Sequence, residues 1–314
     1  MLDLVILGAS AAGCSAAIYS ARRKLNFRFI SDNIGGEVAL SGVVNNWPGI
    51  IEIQGFELAN NFANHVKSYD VEIETGLRAT AIKQAGKHHI ICFKKATGEE
   101  ECVETKTIII ATGIHPRKLD VPGEKEFDRK GVTYCTVCDG PLFKNKITAT
   151  IGSGNAALES ALMMNNIAKK TYLISKFPNT TENKGGFPKG EDILIEKVKT
   201  MPNIEIIYSA KTTEIIGDKK VTSLKYKDAD GKENTLVVDG IMIHAGMTPN
   251  SDFAPVEKDK IGQIAVNTKC QTNIPGIYAA GDVTNIPFKQ ITISAGQGAT
   301  AALSTIEYIN RWKE

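Results

Sequence analysis

Leu2-Asp3-Leu4-Val5-Ile6-Leu7-Gly8-Ala9-Ser10-Ala11-Ala12-Gly13, the stretch 2–13, decides the reading of the fold. Its first six residues are an apolar strand with a single Asp inside it, and Gly8 to Gly13 is a turn of small residues. Cys14 to about Arg23 continues as a small-residue helix, and a second apolar stretch follows at Phe27 to Ile30. Strand, glycine turn, helix and strand in that order open a dinucleotide-binding βαβ unit, in which close backbone approach sets a helix N-terminus against a pyrophosphate. Ser10 stands at the second position of the G-x-G core, so a plain turn before a helix stays open as the alternative on this stretch alone.

The same grammar recurs downstream. Ile147 to Ile151 reads as a strand, Gly152-Ser153-Gly154-Asn155-Ala156-Ala157 as the turn, Leu158 to Met164 as a helix, and Tyr172 to Ile174 as the next strand. Two such units make an accidental match of both improbable. Between them the β-branched run Thr107 to Ile110 ends in Ala111-Thr112-Gly113, and the Pro- and Gly-bearing segment that follows reads as a domain crossing. Ala245-Gly246-Met247-Thr248-Pro249-Asn250 is the mirror crossing, and Gly276-Ile277-Tyr278-Ala279-Ala280-Gly281-Asp282 then leads into a helix at Gln290 to Ser304. This order predicts an α/β protein of two Rossmann-like, doubly wound domains, the second inserted in the first: 1–116 with 248–314, and 117–247.

Bulk properties narrow the class. With 314 residues two domains are the natural expectation, and 42% hydrophobic with 23% charged residues is the composition of an ordinary globular protein. A net charge of +2 supplies no large positive field, so neither nucleic acid nor a membrane surface is expected as a partner. The apolar strand starting at Leu2 leaves no room for a signal peptide, so an intracellular, cytoplasmic location is expected. Cys14, Cys92, Cys102 and Cys270 are scattered and are expected to remain thiols. Cys14 reads as a buried apolar residue, His244 as a core histidine, His88 and His89 as exposed, and Lys169-Lys170 as a solvated face.

Cys135-Thr136-Val137-Cys138, followed by Asp139, lies just upstream of the second glycine turn. Two thiols separated by two residues close a small disulfide, and a neighbouring carboxylate can move the protons that thiol–disulfide exchange requires. The competing reading is half of a zinc site, which needs a second ligand pair at matching spacing. The sequence offers none, so no metal is expected.

Together these motifs resemble the low-molecular-weight thioredoxin reductases, and the resemblance covers essentially the whole chain. It rests on Gly8 to Gly13, Gly35-Gly36-Glu37, Asn45 to Gly49, Ala111-Thr112-Gly113, Cys135 to Gly140, Gly152 to Ala157, Ala279 to Val283 and Lys289-Gln290-Ile291. The resemblance implies an FAD domain built from the two chain ends and an inserted domain holding the nicotinamide site and the CxxC. Gly8, Ser10, Ala11, Ala12 and Gly13 would hold the FAD pyrophosphate. Gly36, Glu37, Val38 and Asn46 would line the flavin side, with Thr112, Gly113, Gly281 and Lys289 also on the cofactor. Asp282 would take the ribityl chain and Asp32 the adenosine ribose, while Gln290 and Ile291 would set a helix N-terminus against the pyrimidine end of the flavin. Cys138 would face the flavin, Cys135 would attack the substrate disulfide, and Asp139 would be the acid/base. Gly152, Gly154, Asn155, Ala156 and Ala157 would hold the nicotinamide nucleotide.

Departures from the family pattern carry information as well. Ser31 stands where the acidic ribose ligand is expected, with Asp32 next. Where NADPH-using members carry an arginine cluster, Ser175-Lys176-Phe177-Pro178-Asn179 offers Lys176 as the one cation. A lysine is a point charge without the bidentate fork, so the donor is left open among NADPH, NADH, ferredoxin and a deazaflavin. The expected activity passes electrons through FAD and Cys135/Cys138 to thioredoxin or a similar dithiol protein, in a homodimer. A dithiol oxidase on the same scaffold and a non-catalytic flavin-binding partner of thioredoxin are the rival readings. The flavoprotein component of alkyl hydroperoxide reductase is disfavoured here, because it needs an added amino-terminal domain.

Overall fold

The structure is a computed structural model that describes residues 1–41, 43–95 and 97–312, with the side chain of Cys138 outside the described residues. The chain divides into two compact units, Met1–His115 with Thr248–Glu314, and Pro116–Met247.

In the first unit the strand Leu2–Ala9 lies at the centre of a sheet, with Phe27–Ile34 and then Ile73–Thr75 on one side, and Glu100–Ile110 and Ile277–Ala279 on the other, all parallel. Leu4, Val5 and Ile6 are fully buried, as are Ile108, Ile109 and Ile110. Such continuous apolar runs suit a parallel sheet covered on both faces. One face takes the helices Ala11–Arg22 and Ile291–Asn310, which approach so closely that a Cβ on Gly298 would sit 2.0 Å from the Ala12 carbonyl oxygen. Beyond Glu100–Ile110 the sheet continues as an antiparallel meander through His88–Lys95 and Leu77–Ala85, whose Leu77, Ile82, Ile91 and Phe93 join Val5, Leu7, Ile108 and Ile110 in one apolar cluster.

Two expectations fail in that meander for one reason. Along His88–Lys95 the side chains alternate faces, so His89 shares the inward face with the fully buried Ile91 and Phe93 and is itself 1% exposed. Cys92 falls on the opposite face, directly across from Cys102, and the two are joined in a disulfide with their Cα atoms 4.0 Å apart. They are therefore neither scattered nor thiols. Cys14 and Cys270 are free and buried, and burial pushes their thiols up to about 12 and about 11.

The second unit repeats the plan. A parallel sheet runs Val132–Thr133, Gly240–Ile243, Ile147–Ile151, Lys170–Ile174, Ile204–Ile207, flanked by Asn155–Asn165 and Asp192–Lys199. A three-stranded antiparallel sheet, Lys211–Gly217, Val221–Lys227 and Glu233–Val237, completes it. Among the described residues no helix is long and apolar enough to cross a membrane.

Candidate functional site

The first glycine turn is a tight crossing of backbones. Gly8 has φ +99°, and a Cβ there would lie 2.3 Å from the Ala111 carbonyl oxygen, while one on Gly13 would lie 1.7 Å from the Gly8 carbonyl oxygen. Only glycine fits either place. Ser10 precedes the helix Ala11–Arg22 without capping it, and its hydroxyl instead donates to the Gly35 carbonyl at 2.7 Å. The serine that departs from the glycine pattern thus ties the turn to the segment bearing Gly36, Glu37 and Val38. Ala12 reaches the other chain end, since a Cβ on Gly281 would be 3.0 Å from the Ala12 methyl.

Other expected cofactor residues gather in the same unit. Asn46 Nδ2 donates to Gln290 Oε1 at 3.2 Å, and Val38 and Ile291 pack in one apolar cluster with Val44, Leu58 and Ala59. The Thr112 hydroxyl donates to the Asn250 carbonyl at 2.6 Å, the Asn250 amide returns a bond to the Thr112 carbonyl at 2.9 Å, and the Asn250 N–H donates to the Gly113 carbonyl. Asn250, which sequence reasoning passes over, therefore fixes that segment. Burial raises the carboxyls of Glu37 and Asp282 above their ordinary range, and the Asp282 charge adds to the rise at Glu37. Ser294 Oγ donates to Asp282 Oδ1 at 3.0 Å. Lys289 turns its amine to the Thr284 and Ile286 carbonyls at 2.5 and 2.7 Å. Asp32 stands apart: it is exposed near the end of its strand, and its carbonyl accepts the Gly76 N–H. Ser31 Oγ is committed to the Ala9 N–H at 3.0 Å.

These residues fit FAD. A helix N-terminus left uncapped by Ser10 suits a pyrophosphate, and a half-buried Asp282 suits the hydroxyls of a ribityl chain.

In the second unit Cys135 precedes the short helix Thr136–Asp139 and is disulfide-bonded. Thr133 organises the segment: its hydroxyl donates to Asp139 Oδ2 at 2.5 Å and accepts the Cys135 N–H at 3.1 Å. Beneath the helix Thr136 Oγ1 lies 2.6 Å from Ser160 Oγ and 2.8 Å from His244 Nε2. Desolvation lowers the His244 pKa to about 4, so the ring is neutral near pH 7. Glu124 is 2% exposed, and its carboxyl group accepts the Leu119 and Asp120 N–H groups and the Tyr134 hydroxyl. Ser160 and His244, which meet at Thr136, and Glu124, which meets Tyr134, are not legible in the sequence as neighbours of this segment, because those contacts form only through the fold.

The second glycine turn is equally tight. A Cβ on Gly152 would sit 2.4 Å from the His244 carbonyl oxygen and 2.7 Å from the Ala157 Cβ. Gly154 precedes the helix Asn155–Asn165, and Asn155 is tied to Glu191 by two bonds of 2.8 Å, its amide donating to the Glu191 carboxylate and its carbonyl accepting the Glu191 N–H. Ala156 follows it in the first turn. Lys176 is exposed, its ammonium 5.3 Å from the Phe177 ring centroid. Lys189 lies across from Gly154 in an isolated bridge, a second cation that spacing along the chain conceals. Among the described residues no cluster of His, Cys, Asp and Glu could hold a metal.

Two nucleotide-binding units, one bearing a redox cysteine segment, define a flavin-linked disulfide oxidoreductase scaffold. Residues 2–302 match the pyridine nucleotide-disulphide oxidoreductase family, and the chain belongs to it. The chain resembles the thioredoxin reductase of Lactococcus lactis, with 32% identity, TM-score 0.77 and coverage of 99% of this chain and 100% of that one. The T. acidophilum thioredoxin reductase shares 37% identity at TM-score 0.73, with 98% of each chain covered. An alkyl hydroperoxide reductase component of Staphylococcus epidermidis is 40% identical over 98% of this chain but only 59% of its own length. The chain thus spans about 59% of the length of such relatives.

Proposed function

We propose that the chain is a thioredoxin-reductase-type enzyme that delivers an electron pair through Cys135 and Cys138 to the disulfide of thioredoxin or a similar dithiol protein. The observation that supports this most is the Cys135–Asp139 segment, in which a disulfide-bonded cysteine and a carboxylate are fixed by one hydroxyl, Thr133. The unit formed by the two chain ends is the FAD domain, and Pro116–Met247 is the nicotinamide-type domain.

FAD supplies two-electron transfer between a nicotinamide-type donor and a disulfide. Gly8, Ser10, Ala11, Ala12 and Gly13 would hold its pyrophosphate, Gly36, Val38, Asn46, Gln290 and Ile291 would line the ring, and Asp282 would take the ribityl hydroxyls. In the reduced dithiol the Cys135 thiolate attacks the partner disulfide, forming a mixed disulfide and releasing one partner thiolate. Asp139 delivers the proton that thiolate needs. The Cys138 thiolate then attacks Cys135 Sγ, which closes the Cys135–Cys138 disulfide and frees the second partner thiolate. The active form is taken as a cytoplasmic homodimer.

A second reading follows from the sequence relatives: a flavoprotein component of an alkyl hydroperoxide reductase, with the same sulfur chemistry and a different disulfide partner. The test is anaerobic flavin bleaching with NADPH, NADH and reduced ferredoxin side by side, followed by addition of thioredoxin or of a peroxide-reducing disulfide protein. Reoxidation by thioredoxin supports the first reading, reoxidation only by the peroxide-reducing protein supports the second, and oxygen uptake driven by dithiols points to an oxidase.

A further inference from the structure

The Cys92–Cys102 pair has no part in the chemistry just described. It lies in the unit made by the chain ends, whereas Cys135 belongs to the other. Its setting follows from the ladder. The Lys95 N–H donates to the Glu99 carbonyl at 2.8 Å, and hydrogen-bonded pairs alternate from there, so Cys92 and Cys102 face each other as a non-hydrogen-bonded pair. Side chains at such a pair come closest, and here the Cα atoms are 4.0 Å apart. Because Ile91 and Phe93 take the core face, the sulfurs lie on the outer one.

Access is unequal. Cys102 is exposed and Cys92 half-buried, since His88–Lys95 is flanked by Leu77–Ala85 as well as by Glu100–Ile110. The backbone ladder on both sides of Cys92 does not depend on the S–S bond. Opening the bond therefore leaves the two thiols opposite each other and ready to close again.

We propose that Cys92–Cys102 is a second thiol–disulfide exchange site, opened by dithiols that attack Cys102. An incoming thiolate bonds to Cys102 Sγ and Cys92 leaves as the thiolate. The second thiolate of the dithiol then attacks the sulfur bound to Cys102 and expels that thiolate too. Two electrons and, after protonation, two protons pass to the pair, and the dithiol becomes a disulfide. The physiological reductant is a protein dithiol, the product of the activity proposed above, and this assignment rests on that reading.

The experiment uses the full chain purified without reductant, incubated natively with millimolar dithiothreitol, quenched in acid, alkylated with N-ethylmaleimide and mapped by mass. The expected result is no label on Cys92 or Cys102 before reduction and label on both after it, with circular dichroism unchanged and the bond restored by oxidised dithiothreitol. The Cys135→Ser/Cys138→Ser double variant is expected to behave alike, so this arm needs neither flavin turnover nor a donor. Label on both cysteines before reduction, or opening only in guanidinium, overturns the exchange site. A reduced thioredoxin-type protein replaces dithiothreitol in the last arm. Opening supports the product assignment, and no opening there alongside opening by dithiothreitol overturns that assignment alone.

Discussion

The Thr133 hydroxyl holds the Asp139 carboxylate at 2.5 Å while accepting the Cys135 N–H at 3.1 Å, so one side chain fixes both the backbone of the proposed nucleophile and the proposed proton donor. Asn at position 139 keeps an acceptor for that hydroxyl and loses the proton. Asp139→Asn is therefore expected to leave flavin reduction nearly intact and to slow transfer to the partner by about 10²-fold or more, the scale of a positioned general acid. Stopped-flow traces of the two half-reactions separate these effects, and an unchanged partner rate removes Asp139 from the mechanism.

The proposed division of labour between the cysteines makes opposite variants diagnostic. Cys135→Ser is expected to retain flavin reduction, lose disulfide turnover and show a flavin spectrum perturbed by the Cys138 thiolate. In Cys138→Ser that perturbation is absent. The reverse pattern would show the roles exchanged.

His244 gives a signed pH dependence. Its folded pKa of about 4 lies below the unfolded value near 6.5, so between the two the unfolded chain binds more protons. Its contribution to stability is present above pH 6.5 and is lost as pH falls through about 4, on the order of 3 kcal/mol at most. His89, lowered by the same burial, acts in the same direction. Urea midpoints measured from pH 8 to 4 should fall across this window, and His244→Asn should flatten the fall.

Glu124 accepts three bonds from a site that is 2% exposed, including the N–H of Asp120, whose φ is +57°. Glu124→Ala strands those donors and is expected to cost about 2 to 4 kcal/mol, while Tyr134→Phe removes one bond and costs about 1 kcal/mol. Chemical denaturation of the two variants checks both numbers and their order.

How much of this the sequence discloses depends on whether neighbours in space are neighbours in the chain. The turns at Gly8 and Gly152 are legible because strand, glycines and helix occur in one continuous stretch. The disulfide is not, since pairing Cys92 with Cys102 requires the hairpin register, and a shift of one residue would turn either cysteine to the other face. The burial of His89 is hidden for the same reason. Ser10 reads as a weakened glycine motif, whereas its hydroxyl reaches Gly35, 25 residues on. Asn250 and Lys189 act on segments far from them in sequence, and no local pattern marks either.

In the proposed nucleotide site the choice of electron donor turns on two lysines at different ends of the second turn. Lys189 lies across from Gly154, at the N-terminus of the helix Asn155–Asn165, where a pyrophosphate common to NADPH and NADH would sit. Lys176 follows the strand Lys170–Ile174, the end at which a dinucleotide fold meets the adenosine ribose, and is therefore the cation placed for a 2′-phosphate. One charge-assisted contact is worth about 1.5 to 3 kcal/mol, so NADPH should be preferred over NADH by only roughly 10- to 150-fold. Lys176→Ala is expected to bring the two nucleotides nearly level, whereas Lys189→Ala should weaken both alike. Anaerobic flavin bleaching against nucleotide concentration gives the six constants, two nucleotides for the parent and each variant. Strong NADPH selectivity that survives Lys176→Ala would place the phosphate elsewhere, and no bleaching by either nucleotide would move the donor to the ferredoxin or deazaflavin class.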